Sequence, residues 1–227
     1  MNAEYYVFPQ GSPEWRAIRL GLVTASNIGK LITPTGKPAK NQGVTEYAQK
    51  LAAERVNEFA DEMPTTFQMN RGHFEEILAR DLYSREFAPV TEVGFVTNKI
   101  GGVLVGASPD GLVGDDGGIE IKSRLGKFQI ATFLNNEVPP EYMLQIQFNL
   151  MVTGRDWWDF VQYSNGMRLF VKRVFPNPAA IGLIESVIAP FEEKVCGMVA
   201  GYVERSKDFP LAERVPFMDD DENGGIE

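Results

Sequence analysis

A chain of 227 residues, 44% of them hydrophobic, is long enough to bury one sizeable core, and it has no apolar run near the roughly 18 residues needed to cross a bilayer. Its 22 basic against 31 acidic side chains give a formal net charge of -9, which argues against a protein that coats nucleic acid through bulk positive charge; any such contact must come from Arg and Lys gathered in one groove. A single cysteine, Cys196, excludes an internal disulfide and a four-cysteine metal site, and with an N-terminus that lacks the basic start and apolar run of an export signal it suits a reducing cytoplasm.

In chain order, Ser12-Pro13 reads as a cap and a first helical turn, with Trp15, Ile18 and Leu22 at helical spacing until Gly21 and Val23-Thr24 interrupt. A short helix is expected next over Ser26 to Ile32, capped by Ser26. Residues 33–43 are rich in breakers and read as a loop carrying Lys37 and Lys40. Tyr47, Leu51, Ala52, Val56 and Phe59 make an apolar stripe, so a helix is expected from Thr45 to about Ala60; a second, from Arg71 to Phe87, stacks Phe74, Leu78 and Leu82 four apart.

After Pro89 the pattern becomes short, branched and aromatic. Val93 to Val96, Gly102 to Val105, Gly118 to Lys122, Trp157 to Tyr163 and Leu169 to Phe175 read as strands of one sheet, with a helix over Pro140 to Val152 and one or two closing helices from Pro178 to about Arg205, broken or bent at Pro190. Trp157, Trp158 and Phe160 read as sheet packing, and Cys196 as a small buried residue of the last helix. The fold class is therefore α/β, a mixed central sheet flanked by helices, as one domain over 1–215 with 216–227 as an acidic, flexible tail.

The segment from Val103 to Lys122 carries the chemistry. It reads as a hairpin turning at Asp115-Asp116-Gly117-Gly118, and strand alternation puts Glu120 and Lys122 on one face with Ile119 and Ile121 on the other. A tight hairpin returns Asp110 to the neighbourhood of Glu120. Two carboxylates so close repel unless a cation sits between them, and oxygen-only ligands favour Mg²⁺, with Mn²⁺ able to substitute, over zinc. Lys122 beside them can stabilise developing negative charge or position a water, and a further carboxylate stands in Arg71-Gly-His-Phe-Glu-Glu76. His73, three residues before Glu76, and Arg124 and Lys127, just past the strand, read as surface residues.

Taken with Trp15-Arg-Ala-Ile-Arg-Leu-Gly-Leu-Val-Thr-Ala-Ser26, Gly72-His-Phe-Glu-Glu76, Ala107-Ser-Pro-Asp-Gly111, Gly118-Ile-Glu-Ile-Lys122 and Tyr142-Met-Leu-Gln-Ile-Gln147, the constellation resembles the PD-(D/E)xK nucleases, specifically the lambda-exonuclease or YqaJ-type viral recombinase family. The resemblance implies a restriction-endonuclease-like core. It implies that Asp110, Glu120 and the Ile121 carbonyl hold one metal ion, that Glu76 assists a second with Glu75 as the alternative, that Lys122 orients the nucleophilic water, and that Gln145 supports that lysine or water. Arg19, Ser26 and Ser108 match positions that grip a terminal 5′-phosphate.

For activity, the resemblance implies a Mg²⁺-dependent 5′-to-3′ exonuclease that degrades one strand of linear duplex DNA and leaves a 3′ single strand for recombination. It further implies a ring-shaped homotrimer threaded by the duplex, a single-strand annealing protein as partner, and a phage, prophage or bacterial source. The alternatives are an endonuclease on the same core and a catalytically inactive DNA-binding or assembly module.

Overall fold

Ser12 starts the first helix by accepting a hydrogen bond from the Trp15 amide at 3.2 Å, with Pro13 preset in the first turn. The elements in chain order are β1 (Glu4–Tyr6), α1 (Pro13–Arg19), β2 (Val23–Thr24), a 3-10 helix (Ala25–Lys30), α2 (Gln42–Asn57), α3 (Phe67–Glu86), β3 (Val90–Thr91), β4 (Phe95–Ile100) and β5 (Val103–Ala107). They continue with β6 (Gly111–Val113), β7 (Gly117–Ser123), α4 (Gly126–Asn135), α5 (Pro140–Thr153), β8 (Trp157–Tyr163), β9 (Phe170–Val174) and α6 (Pro178–Ser206). The computed structural model describes residues 3–60 and 67–214, so the acidic tail read at 216–227 lies outside the described residues. No helix among the described residues is long and apolar enough to cross a membrane.

The architecture is the expected mixed α/β one, but the strands form two sheets instead of one, in the orders β1-β4-β5-β2 and β3-β6-β7-β8-β9. The divide falls at Ser108-Pro109-Asp110, between β5, which pairs with β4, and β6, which pairs with β7. Proline has no amide to offer a ladder, so a strand running through Pro109 breaks there. The hairpin turn is also one step earlier than read, at residues 114–116 with Gly114 at φ +54°. Gly117 and Gly118 belong to β7 and are glycines for space: a Cβ on Gly117 would lie 2.0 Å from Trp157 Cζ2 and one on Gly118 2.4 Å from Trp158 Cζ3, across the parallel β7–β8 pairing.

Other expectations shift for equally local reasons. The helix expected at Ser26 is a 3-10 helix entered at Thr24, so Ser26 is its second residue and caps nothing. In α3 the apolar stripe faces outward, with Phe74 62% exposed, while Glu75, Ala79 and Tyr83 are buried against the sheet. Ala79 and Tyr83 join Val113, Ile119, Ile121 and Val161 in a small core on that face; the main core lies on the other side, among the first sheet, the 3-10 helix, α2, α5 and α6. Between β7 and α5 a helix that the sequence reading missed, α4, buries its polar residues Gln129 and Thr132, whose amide and hydroxyl bond Gln162 at 3.0 and 3.2 Å. α6 is one continuous helix that contains Pro190, and Cys196 on it is exposed.

α6 is tied to the α1–β2 corner by Arg55, which donates to the Gly21 carbonyl at 3.0 and 2.7 Å and to both Glu192 oxygens at 2.7 Å. That hydrogen bonding holds the Glu192 carboxyl below its ordinary range. A depressed folded-state pKa adds stability above the unfolded value, lost as pH falls through the folded one. Glu192→Gln is therefore expected to cost about 1 kcal/mol at neutral pH, the scale of a solvent-screened pair, and to converge on wild type as acid protonates the folded-state carboxyl, as read by urea midpoints across a pH series.

Candidate active site

β7 presents Glu120 and Lys122 on the face toward α5. Glu120 is buried, its Oε1 2.6 Å from the Lys122 ammonium and its Oε2 accepting from Asn149 Nδ2 at 3.0 Å. Burial disfavours the ammonium, yet the Glu120 and Asp110 carboxylates outweigh it and hold Lys122 protonated above the ordinary amine value. An amine so held is an electrostatic group and a proton donor in hydrogen bonds. Tyr142 of α5 roofs it, with Lys122 Nζ 5.5 Å from a ring that stacks on Phe160.

Asp110 stands at the crossing between the two sheets. Its Oδ2 accepts from the Ile121 amide at 2.6 Å, and its own carbonyl accepts from Arg80 of α3 at 3.0 Å. Gln10 holds the Pro109 carbonyl at 2.8 Å from the other side. The β6–β7 hairpin, with Gly111 opposite Ile119, returns Asp110 to the middle of β7 as the hairpin reading expected, and Arg80 and Gln10 hold the loop there. Burial, then Glu120 and Glu76, raise the Asp110 carboxyl well above the usual carboxylate range.

On α3, Glu76 belongs to the same electrostatic group: burial raises its carboxyl, Arg80 and His73 lower it, Glu120 raises it and Lys122 lowers it. Glu75, the alternative for this place, is not solvent-facing but buried, and it takes a short hydrogen bond from Ser123 Oγ, on the Ile119–Ile121 face of β7. Gln145 is half-buried on α5 without a hydrogen bond among the described residues, one turn from both Tyr142 and Asn149. Tyr142, Asn149 and Arg80 are the contacts that sequence reasoning missed. Tyr142, Gln145 and Asn149 are three and four residues apart, the helical spacing that puts them on one stripe.

Arg19 and Ser108 meet through Trp15. The Arg19 guanidinium lies 3.7 Å from the centroid of the Trp15 ring, whose Nε1 donates to Ser108 Oγ at 3.0 Å. Burial lowers Arg19 to about 10, with Glu54 and Tyr47 working against it, so it stays cationic at neutral pH. β2 pairs in parallel with β5, Thr24 against Gly106, and Ser26 follows as an exposed residue of the 3-10 helix, its Oγ 3.4 Å from Thr24 Oγ1 and from Asn27 Nδ2. A cavity of about 210 Å³ beside Trp15 is lined by Arg16, Arg19, Thr24, Asn27, Lys50 and Glu54 among others, and neither Ser26 nor Ser108 is in its lining. Arg16, Arg19 and Lys50 outnumber the one carboxylate there, Glu54, so the balance of charge around the hollow is positive.

Among the described residues no three His, Cys, Asp or Glu side chains form a ready-built metal cage. Asp110 and Glu120 still make a donor set that suits a hard divalent cation, because both offer carboxylate oxygens, Glu120 from the residue before Ile121 and Asp110 from its hydrogen bond to the Ile121 amide, and together they carry more negative charge than Lys122 neutralises. The Ile121 carbonyl and water are the remaining oxygens that sequence reasoning assigned to such an ion.

Residues 14–156 match the YqaJ-like viral recombinase domain. No curated protein matches the chain. Among solved structures it is similar to the alkaline exonuclease LHK-Exo of Laribacter hongkongensis, with 32% identity over 88% of this chain and 100% of that one at a TM-score of 0.75, and to LHK-Exo in complex with dAMP, with 32% identity, the same coverage and a TM-score of 0.76. A phage-related exonuclease from Haemophilus somnus 129PT, 11% identical over 79% of this chain and 96% of that one, shares the fold at a TM-score of 0.58.

Proposed function

The chain belongs to the YqaJ-like viral recombinase domain family and is a nuclease, and from that premise we propose that it is a Mg²⁺-dependent 5′-to-3′ exonuclease acting on the 5′-phosphorylated ends of linear duplex DNA. The observation that carries the reading is the buried Glu120 carboxylate held 2.6 Å from the Lys122 ammonium on β7, with the Asp110 carboxylate bonded to the Ile121 amide between them.

In this reading Asp110, Glu120 and the Ile121 carbonyl hold one magnesium ion and Glu76 assists a second, with Mn²⁺ a working substitute. A bound divalent ion supplies Lewis acidity at the phosphoryl oxygens and an acidified water. Lys122, fixed as a cation by Glu120, steadies the charge that grows on phosphorus and orients the water, and Gln145, on the stripe beside Tyr142, supports it. Arg19 in the hollow beside Trp15 would receive the terminal phosphate, with Ser108 and Ser26, outside that hollow, as the further hydroxyl donors, and this would set the polarity of attack. LHK-Exo was solved with dAMP, a 5′-mononucleotide of the kind such a reaction releases.

The reading extends to a homotrimeric ring around the duplex, which would let a chain of net charge -9 keep its basic residues on the substrate, and to a single-strand annealing protein that takes up the 3′ strand. Light scattering that gives a monomer at working concentration counts against the ring.

The decisive assay compares linear duplex bearing 5′-phosphate or 5′-hydroxyl ends with closed circular duplex, in Mg²⁺ and in EDTA. Arg19→Ala is expected to slow degradation from 5′-phosphate ends by about ten- to a hundredfold, the worth of charge-assisted hydrogen bonds, and to leave 5′-hydroxyl ends nearly unchanged. Equal slowing on both ends removes the phosphate role, and equal cleavage of circular and linear duplex makes the enzyme an endonuclease.

A further inference from the structure

Asn149 has no role in the proposed mechanism, yet it touches the centre of the site. It lies inside α5 in the run Ile146–Thr153, every residue of which is buried, and it is itself 0% exposed. Its Nδ2 donates to Glu120 Oε2 at 3.0 Å, and its Oδ1 is buried without a hydrogen-bond partner among the described residues. A carboxylate only accepts, so the amide nitrogen has to face Glu120 and the amide oxygen has to face away. A buried acceptor left in that state costs stability, and an apolar side chain of similar volume would escape the cost. Packing therefore gives no reason for an amide here, whereas Glu120 does.

The two partners of Glu120 also differ in stiffness. Lys122 approaches Oε1 on a long, flexible stem and can follow that oxygen wherever it turns. Asn149 is short, rooted in the interior of a helix and enclosed, so it cannot follow. The terminal torsion of a glutamate is broad and easily turned, and a carboxylate held only by Lys122 would keep that freedom.

We infer that Asn149 is a positioning residue: its amide fixes the plane of the Glu120 carboxylate, so that Oε2 is committed to α5 and Oε1 is the oxygen turned toward Lys122. This rests on the proposed metal-dependent nuclease reading and adds to it the group that sets the direction of one ligand. Groups that orient a metal ligand typically change metal affinity or activity by about ten- to a hundredfold when removed.

The test is a calorimetric titration of the full chain with Mn²⁺ alone, for wild type, Asn149→Leu and Asp110→Asn, with kcat and KM for DNA measured beside it. Asn149→Leu is expected to weaken Mn²⁺ binding about ten- to a hundredfold, to lower kcat at limiting metal with partial recovery at high metal, and to leave KM for DNA and metal-free thermal stability close to wild type. Asp110→Asn is expected to lose the binding isotherm. Equal Mn²⁺ affinity in wild type and Asn149→Leu overturns the assignment alone, as does a loss of metal-free stability with affinity unchanged. A wild type that binds no Mn²⁺ overturns the metal reading itself, and this assignment with it. Should Asn149→Leu fail to fold, Asn149→Ala makes the same comparison.

Discussion

Glu120→Gln is expected to slow DNA hydrolysis by at least about a thousandfold, the upper end of what the loss of one preorganised electrostatic group costs. Glutamine keeps the shape of the side chain and its oxygen can still accept from Asn149, but its amide nitrogen then faces the Lys122 ammonium, so the change removes the charge and the lysine contact together. That charge does two things at once: it holds the Lys122 ammonium at 2.6 Å, and with Asp110 it forms the anionic pair suited to a divalent ion. Lys122→Ala removes only the ammonium and is expected to cost less, about a hundredfold. Single-turnover cleavage of a 5′-phosphorylated duplex separates the two.

A control keeps this from being a folding effect. In EDTA, Glu120→Gln is expected to melt near wild type, because relief of the repulsion felt by Asp110 and Glu76 offsets the lost pair with Lys122. Magnesium at about a hundred times its dissociation constant should stabilise wild type by about 2.7 kcal/mol and Glu120→Gln hardly at all. A Glu120→Gln enzyme with substantial activity would sink the assignment of Glu120 as a metal ligand.

The strand carrying this site was legible because alternation is a local property: Gly118-Ile-Glu-Ile-Lys122 can present Glu120 and Lys122 only together, with Ile119 and Ile121 opposite. The same holds for β8, whose bounds Trp157–Tyr163 match the sequence reading, and for the Ser12 cap of α1. What failed depended on partners distant in sequence. Nothing near Phe74 and Leu78 tells that α3 will turn Glu75, Ala79 and Tyr83 to the sheet, since that choice is made by Ser123, Ile121 and Asp159 on strands far along the chain. The split into two sheets hangs on Pro109 and on the grip of Gln10 and Arg80 around it. α4 escaped because its buried side is polar, Gln129 and Thr132, and its apolar residues Ile130 and Leu134 face out, the reverse of the pattern a helix search expects.

The placement of Glu76 depends on how firmly α3 is clamped to the sheet, and the clamp is a buried charge. Asp159 of β8, 3% exposed, accepts from Tyr83 Oη at 2.6 Å and from Arg173 Nε and Nη2 at 2.9 Å each, and the Arg173 guanidinium is stacked 3.5 Å from the centroid of Trp157. Tyr83 lies seven residues, two turns, beyond Glu76 on α3, so the phenol pins the same face of the helix that carries Glu76. Arg173→Met is expected to destabilise by about 3 kcal/mol, because it strands a buried carboxylate with one phenol for company. For a chain of this length that is a fall of roughly 6–12 °C in Tm. Tyr83→Phe, which leaves the bidentate arginine in place, should cost about 1.5 kcal/mol. The double variant Asp159→Leu with Arg173→Met should be more stable than Arg173→Met alone, since it removes the orphaned charge along with its partner. Urea unfolding of the set decides the point: if the double variant is no more stable than the single, Asp159 is not the uncompensated charge, and the hold on α3 rests on apolar contact at Ala79 and Tyr83 instead.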